Sequence, residues 1–198
     1  QHYRDVRYAL TASIAKGATK LKGTVVLEVT LPAGRTDLVL DWRPPPGAAR
    51  LRQLRVNGKR LQTRIEREHL IVPARFLRAG KNRVSFAFES PIAPSGAAVT
   101  RYLDREDGSE YVYTLFVPSD ASSVFPCLDQ PDLKARFTLE LTVPRAWTAI
   151  GNAPVAAIEN GPEDTRRFRF AQTAPISTYV FGFAAGPFAE IQGPAAPA

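Results

Sequence analysis

Apolar and polar residues alternate with a period of two along most of the chain, and this alternation predicts β-strands. In residues 132–143, the apolar positions Ala135, Phe137, Leu139, Leu141 and Val143 alternate with the polar positions Lys134, Arg136, Thr138, Glu140 and Thr142. A strand with this pattern turns one face to the core and the other to water. No segment keeps an apolar period of 3.6 residues over the ten or so positions that a helix needs. The chain is therefore predicted to be all-β.

Shorter runs of the same kind, bounded by glycine, proline or polar residues, predict further strands. They cover residues 6–14, 23–31, 37–42, 69–72, 82–90, 110–117, 147–150, 153–159, 166–172 and 178–186. Asn57 and Gly58 lie between two extended arms and predict a hairpin, because both central residues of its tight turn take positive φ. Many short strands without intervening helices predict antiparallel sheets that pack or curl on one another.

The composition is that of an ordinary soluble globular domain, with 44% hydrophobic and 23% charged residues. We expect a single domain over residues 1–191, followed by a proline- and alanine-rich linker at residues 192–198. The apolar runs are all much shorter than the about 20 residues of a membrane-spanning helix, so no membrane span is expected. The single cysteine leaves the compartment open. Because the chain opens on Gln1 rather than Met, a periplasmic or secreted location is slightly favoured over the cytoplasm.

The net charge of +7 arises largely from arginines and lysines between Arg50 and Arg83. Such a run can neutralise the phosphates of a nucleic acid. We favour a solvated sheet face instead, because aromatic residues are not interleaved with the basic ones, as base-stacking platforms would be. No nucleic-acid partner is expected.

The usual catalytic motifs do not occur in the sequence. His2 and His69 are the two histidines, and their spacing is not that of the HExxH motif of zinc hydrolases. We expect His2 to lie in a frayed terminus and His69 at a polar edge position of a strand. Neither a G-x-S-x-G elbow nor a phosphate-binding glycine motif is present. This chain is therefore expected to contain no catalytic residue.

The most polar and rigid stretch, residues 124–137, contains the remaining candidates for chemistry. Cys127 has no basic neighbour to lower its pKa, so it is predicted to be a buried structural thiol rather than a nucleophile. Asp129 and Asp132 form a candidate acid–base pair. Roles in turns and in capping backbone N–H groups explain both carboxylates without catalysis.

Residues 125–141, FPCLDQPDLKARFTLEL, resemble the Phe-Pro-Cys-Phe-Asp-Glu-Pro segment of the aminopeptidase N family, zinc metallopeptidases that remove residues from peptide N-termini. Matching residues in register are Phe125, Pro126, Cys127, Asp129, Pro131, Lys134, Ala135 and Phe137, whereas Leu128 and Gln130 replace the usual Phe and Glu. The Ser-Thr-Tyr strand of the family is similar to residues 177–179, and its Gly-x-Phe to residues 186–188. The resemblance runs from about Asp5 to Ile191.

This resemblance implies a saddle-shaped antiparallel β-sandwich, the N-terminal domain of such an enzyme. It also implies that the HExxH motif and its zinc lie in a catalytic domain beyond the linker, so no cofactor or metal is expected here. The implied partners are this C-terminal catalytic domain and the N-terminus of the peptide substrate. A free-standing β-sandwich that binds carbohydrate or protein is the alternative, and it predicts an exposed aromatic platform at Trp42 or Trp147.

The resemblance further implies a substrate-binding segment at Leu115, Val117, Pro118 and Ser119. Family members carry Thr-Gln-x-Glu/Gln-Pro here, and the last acidic or amide side chain holds the α-ammonium of the peptide. Val117 occupies that position, and an aliphatic side chain accepts no hydrogen bond. Two interpretations follow. In the first, carboxylates of the catalytic domain hold the amine, and this segment shapes an apolar wall of S1, the site that binds the peptide's first side chain. In the second, the chain has drifted to another substrate. We favour the first interpretation.

A structural loop is predicted at Pro126, Cys127, Asp129 and Pro131. The two prolines fix φ near −65°, and the Asp129 carboxylate is suited to accept hydrogen bonds from backbone N–H groups of the loop. The loop would hold residues 115–119 at the rim of the domain. The resemblance places Ser122 where the family usually has arginine.

Overall fold

The computed structural model describes residues 3–34 and 36–191. The predicted linker at residues 192–198 and the predicted frayed position of His2 lie outside this part of the chain. Its strands are β1 Arg4–Ser13, β2 Lys20–Leu31, β3 Leu38–Asp41, β4 Arg50–Val56, β5 Lys59–Arg60, β6 Ile65–Glu66, β7 His69–Val72, β8 Gly80–Pro91, β9 Val99–Leu103, β10 Glu110–Thr114, β11 Arg136–Pro144, β12 Thr148–Gly151, β13 Val155–Asn160, β14 Thr165–Phe170 and β15 Phe183–Gly186. Short 3-10 helices lie at Ala74–Phe76, Ala121–Ser123 and Thr178–Val180.

These strands form three sheets. The large sheet has the order β13-β14-β11-β1-β2-β8-β4-β5, the four-stranded sheet β12-β15-β10-β9, and the three-stranded sheet β3-β7-β6. Neighbouring strands are antiparallel except for β1 and β11, which run parallel with Tyr8 opposite Phe137. The prediction of an all-β fold built on antiparallel sheets is confirmed, and this one parallel pair was not predicted.

The core lies under the inward face of the large sheet. The five predicted core positions from Ala135, directly before β11, to Val143 on it are all buried, and the alternate positions of the strand face outward. The Phe137 ring stacks on Tyr8 at 4.9 Å and on Phe181 at 4.5 Å between centroids. Phe125 enters the same aromatic cluster from the loop before β11, 5.8 Å from Phe88. The loop that carries the sequence signature is thus part of the core.

The hairpin predicted at Asn57 and Gly58 joins β4 to β5, and both residues have positive φ, 50° and 84°. The basic residues predicted between Arg50 and Arg83 are exposed. The histidine prediction was wrong in one respect: β7 is the central strand of its sheet, and His69 lies beside Asp41 of β3 rather than at an edge.

Two predicted strands were too long. Residues 110–117 leave the four-stranded sheet after Thr114, although the alternation of burial continues through exposed Leu115, buried Phe116 and exposed Val117. Residues 178–180 form a 3-10 helix instead of continuing the strand into β15, and the Thr178 hydroxyl at its start binds Asp129 of the loop. The short strands β6 and β9 were not predicted.

Candidate functional site

Asp129 is the centre of the loop that the sequence singled out. Its carboxylate is almost fully buried, with 2% of the side chain exposed. Oδ2 accepts a hydrogen bond from the Ser122 N–H at 3.0 Å, and Oδ1 accepts one from the Thr178 hydroxyl at 2.7 Å. The Asp129 N–H donates to Asp41 Oδ2 at 2.9 Å. One carboxylate therefore joins two 3-10 helices, and its own amide joins them to the end of β3.

Arg43 belongs to the hydrogen-bond network of this loop, and sequence reasoning missed it. Its Nε donates to Ser122 Oγ at 3.0 Å, and its Nη2 donates to Ser119 Oγ at 3.1 Å and to the Ser119 carbonyl oxygen. Nη2 also lies 3.6 Å from Asp129 Oδ2. A guanidinium thus lies beside position 122, where the resemblance leads us to expect one, but it comes from a residue 79 positions earlier in the chain. Its only local signal is its place between Trp42 and three consecutive prolines.

Cys127 is buried, as predicted, and it is a free thiol. Its backbone N–H and carbonyl bond the carbonyl and N–H of Asp41, at 3.1 and 2.8 Å. Burial raises the pKa of the thiol well above its ordinary value, and the carboxylates of Asp129 and Asp41 raise it further, while Arg43 opposes them. The thiol therefore stays protonated at neutral pH and is unsuited to act as a nucleophile.

The other loop residues are fixed by contacts with the core. The buried hydroxyl of Tyr8 accepts the Leu128 N–H at 2.9 Å, and burial raises the pKa of this phenol well above its ordinary value. Pro126 is buried. Pro131 is exposed, but its carbonyl accepts the Ser177 hydroxyl at 2.6 Å. Asp132 is exposed, so it does not share the environment of Asp129.

Residues 115–119 form an apolar rim next to this loop. Leu115 and Val117 are each 57% exposed, and Phe116 between them is buried with 1% exposed. The peptide bond from Val117 to Pro118 is cis, and Pro118 is exposed. Ser119 is held by Arg43, and Arg43 by Ser122 and Asp129. The buried loop and the exposed rim are thus joined by a chain of hydrogen bonds, and the rim offers side chains without an acceptor at 115 and 117.

Several features bear on other kinds of site. Within residues 3–34 and 36–191, no group of three or more His, Cys, Asp or Glu side chains is arranged as metal ligands. His69 Nε2 lies 3.4 Å from Asp41 Oδ1 and has no such group around it. No helix in the described part of the chain has the length and apolar character to cross a bilayer. Trp42 and Trp147 are buried, so neither forms the exposed platform that a free-standing binding module predicts.

Comparison with known proteins places these features in a family. Residues 2–180 match the model of the peptidase M1 N-terminal domain. The chain is 30% identical to aminopeptidase N of Streptomyces lividans, with 94% of this chain and 20% of that protein covered. It is 27% identical to glutamyl aminopeptidase of Rattus norvegicus, with 96% and 21% covered. Protein TMA108 of Saccharomyces cerevisiae is 34% identical over 95 residues, or 46% of this chain.

The chain thus spans about a fifth of the length of the first two relatives. The family match covers every strand up to β14, the structural loop and the rim. The resemblance drawn from the Phe-Pro-Cys segment is confirmed. This chain belongs to the peptidase M1 N-terminal domain family of the aminopeptidases.

Proposed function

We propose that this chain is the N-terminal accessory domain of a zinc-dependent aminopeptidase, and that it supports the catalytic domain and forms one wall of the S1 site. The observation that carries the proposal is the apolar rim at residues 115–119, exposed to solvent yet fixed from behind by the buried carboxylate of Asp129. A wall of a binding site has to be both accessible and rigid. Ordering a mobile segment when the ligand binds costs conformational entropy and lowers the affinity.

In this proposal, Leu115 and Val117 supply apolar contact to the first side chain of the peptide, and Pro118 and Ser119 fix the turn behind them. The α-ammonium is held by carboxylates of the catalytic domain, since Val117 has no acceptor. Arg43 and Asp129 position the segment without touching the peptide. In this proposal, zinc, which supplies a Lewis acid for amide hydrolysis in such enzymes, is bound by the catalytic domain.

The proposed domain division is a single unit at residues 1–191 and a linker at residues 192–198. The proposed compartment is the periplasm or the exterior of the cell. A free-standing binding module is the alternative function. The observation that favours it is a group of exposed tyrosines on the four-stranded sheet, at positions 102 and 113.

The test uses the full-length gene product. Reading the coding sequence past Ala198 should reveal HExxH roughly 100–150 residues further on, by analogy between family members. The full-length protein should hydrolyse an aminoacyl-p-nitroanilide, and a chelator should abolish the activity. The 198-residue chain by itself should neither hydrolyse the reporter nor bind stoichiometric zinc. A stop codon directly after the tail, or a full-length protein whose activity survives chelation, would contradict the proposal.

A further inference from the structure

Positive charge is concentrated in one part of the molecule. Residues 50–83 contain eleven arginines and lysines and two acidic residues, whereas the rest of the chain contains fifteen basic and seventeen acidic residues. The positive net charge of the chain therefore originates in this one segment. The segment forms β4, β5, β6, β7 and the beginning of β8, at one edge of the large sheet and in the three-stranded sheet.

A cleft opens in this region where the chain leaves the hairpin of β4 and β5. The last hydrogen bond of the hairpin runs from the Leu61 N–H to the Leu54 carbonyl oxygen at 2.8 Å. Beyond it lie two adjoining cavities of about 740 and 540 Å³, and residues 60–63 line both of them. Residues 51–54 of β4 form the other wall of the larger cavity. We call this region the basic cleft and define it by its four guanidinium groups, those of Arg52, Arg60, Arg64 and Arg75.

The four guanidinium groups are exposed and poorly neutralised. In the described part of the chain, Arg64 is the one member of the four with a salt bridge, to Glu66 at 2.7 Å. No acidic side chain of the described residues lines either cavity. Like charges around a cleft repel one another and create a positive potential in it. An anionic ligand would therefore be attracted.

The basic cleft also contains an open strand edge. Within the described ranges, β4 pairs with β8 along one side, while on the other side only Arg55 and Val56 pair with β5. The backbone of residues 50–53 is therefore free to pair with an added strand on the cleft side. A bulge between Arg52 and Arg55 keeps this open run short, so an added strand needs side-chain contacts as well.

The side chains along this edge alternate in character. Arg50 and Arg52 are exposed on the outward face, whereas Leu51 between them is half-buried. In the adjoining cavity, Ile65 is 50% exposed and Phe76 is half-buried. A strand added to β4 would continue both faces of the sheet if its acidic residues faced outward and its apolar residues inward.

These features discriminate between kinds of partner. A second copy of this chain would bring the same positive charges to the edge and be repelled. A nucleic acid would find few surfaces for base stacking, because Phe76 is the single aromatic residue among the described residues that line the two cavities, and Arg75 lies over its ring at 4.9 Å from the centroid. An extended acidic peptide can use the guanidinium groups, the apolar contacts and the strand edge together.

We infer that the basic cleft is a docking site for an extended acidic peptide segment of a partner protein, which adds as a strand to the edge of β4. Its carboxylates pair with Arg52 and Arg60, and its alternate apolar side chains cover Leu51. This inference is independent of the proposed function, since it uses no residue of the rim or of the structural loop.

The experiment measures peptide binding to the full-length gene product by fluorescence anisotropy. The probe is an octapeptide of alternating aspartate and valine, labelled with fluorescein at its C-terminus. Its N-terminus is acetylated, so that it offers no α-ammonium to an aminopeptidase site. One control peptide has lysine in place of each aspartate. The other has proline in place of each valine, which keeps the charge but removes every second backbone N–H.

The aspartate–valine peptide should bind saturably, and its affinity should fall as NaCl is raised from about 50 to about 300 mM. The proline peptide should bind at least about tenfold more weakly, because it cannot complete the pairing with β4. The lysine peptide should not bind.

Two double variants of the protein locate the site. The cleft variant carries Arg52→Glu and Arg60→Glu, and the control variant carries Lys16→Glu and Arg105→Glu, which change the net charge equally at exposed positions outside the basic cleft. Melting temperatures within about 3 °C of the parent are expected for both. The cleft variant should bind the aspartate–valine peptide at least about tenfold more weakly and gain binding of the lysine peptide, whereas the control should stay within about twofold of the parent. Arg64→Ser with Arg75→Ser replaces the cleft variant if that protein does not fold.

Several outcomes would overturn the inference. Equal affinities of the cleft and control variants would place any binding elsewhere on the protein. Equal binding of the valine and proline peptides would rule out the addition of a strand. Failure of the aspartate–valine peptide to bind, or tighter binding of a heparin oligosaccharide or a single-stranded oligonucleotide that the cleft variant loses, would reject an acidic peptide as the partner.

Discussion

Asp129 concentrates several hydrogen bonds in one buried side chain, and its replacement by alanine should be costly. Asp129→Ala leaves the Ser122 N–H and the Thr178 hydroxyl without their acceptor. Each buried donor left unpaired costs about 1–3 kcal/mol. We expect the melting temperature of the 198-residue chain to fall by roughly 5–10 °C in calorimetry.

Asp132→Ala is the matched control, because this carboxylate lies in the same loop and is exposed. Its melting temperature should stay within about 2 °C of the parent. Equal shifts for the two variants, or none for Asp129→Ala, would show that the buried carboxylate does not hold the loop.

Cys127 and Tyr8 are buried acids whose pKa values burial raises, and this predicts a pH dependence. In the unfolded chain they lose their protons near the ordinary pKa values of about 8.5 and 10. The native state keeps both protons in this range, so it binds more protons than the unfolded state. The free energy of unfolding should therefore fall as the pH rises above about 8.5.

Cys127→Ala removes one of these two titrating groups. The free energy of unfolding should therefore fall less steeply with rising pH, by up to about 1.4 kcal/mol per pH unit. Urea unfolding of both proteins at pH 7, 9 and 10, with a reducing agent, measures the difference. The cavity left by the missing sulfur lowers stability equally at each pH and appears as a constant offset. Parallel curves for variant and parent would rule out the thiol as a source of the decline.

At the scale of residues, the sequence predicted the buried thiol of Cys127 and picked out Asp129 as an acceptor for the loop backbone. It did not predict Arg43, because the hydrogen bonds of this side chain are with residues 76–79 positions away. The pattern of neighbouring residues in the sequence carries no information about contacts between residues so far apart in the chain. Val117 could be placed at the rim only through the resemblance, since an exposed valine in an alternating run has no signature of its own.

Gly23 of β2 lies tightly between the backbone of β1 and the Phe88 ring of β8, and a larger residue there should disturb the large sheet. A methyl group at position 23 would lie 2.5 Å from the carbonyl oxygen of Thr11 and 2.7 Å from the Phe88 ring. Backbone and a buried ring cannot both move aside without loss of packing. We expect Gly23→Ala to lower the free energy of unfolding by about 1–3 kcal/mol.

Lys22→Ala tests whether this loss belongs to the site. Lys22 is the preceding, exposed residue of β2, so the change should stay within about 0.5 kcal/mol in urea unfolding. A destabilisation of the same size in both variants would assign the effect to strand propensity rather than to the close contact at Gly23.

At the scale of elements, strands with a clean apolar face were predicted well, and β11 is the clearest example. The errors occur at residues 115–117, where burial alternates outside the sheet, and at Thr178–Val180, where the Thr178 hydroxyl binds Asp129 of the loop. Short β6 has no apolar face, because Ile65 and Glu66 are both exposed. Whether such a segment forms a strand depends on the strand it pairs with, and a single sequence does not show which segments pair.

At the scale of the whole molecule, the proposed function predicts that Val117→Glu provides an acceptor for the α-ammonium of a peptide substrate. A carboxylate at this exposed rim position adds a charge-assisted hydrogen bond, so KM for an aminoacyl-p-nitroanilide should fall at least about threefold in the full-length protein. Val117→Ala adds no acceptor and should leave KM within about twofold of the parent.

Steady-state kinetics at a fixed pH measures both variants. An unchanged KM for Val117→Glu would mean that position 117 does not face the amine. A fall of KM in Val117→Ala as large as that in Val117→Glu would assign the effect to space rather than to charge.

The parallel pairing of β1 with β11 has a consequence for how the molecule is made. β1 lies near the beginning of the chain, and its partner begins at Arg136. While the ribosome is still adding the residues between them, β1 pairs with β2 on one side only. Its other edge offers free N–H and carbonyl groups, which is the condition for mispairing between nascent chains. Translation through β11 therefore ends the interval in which this strand edge is open to mispairing.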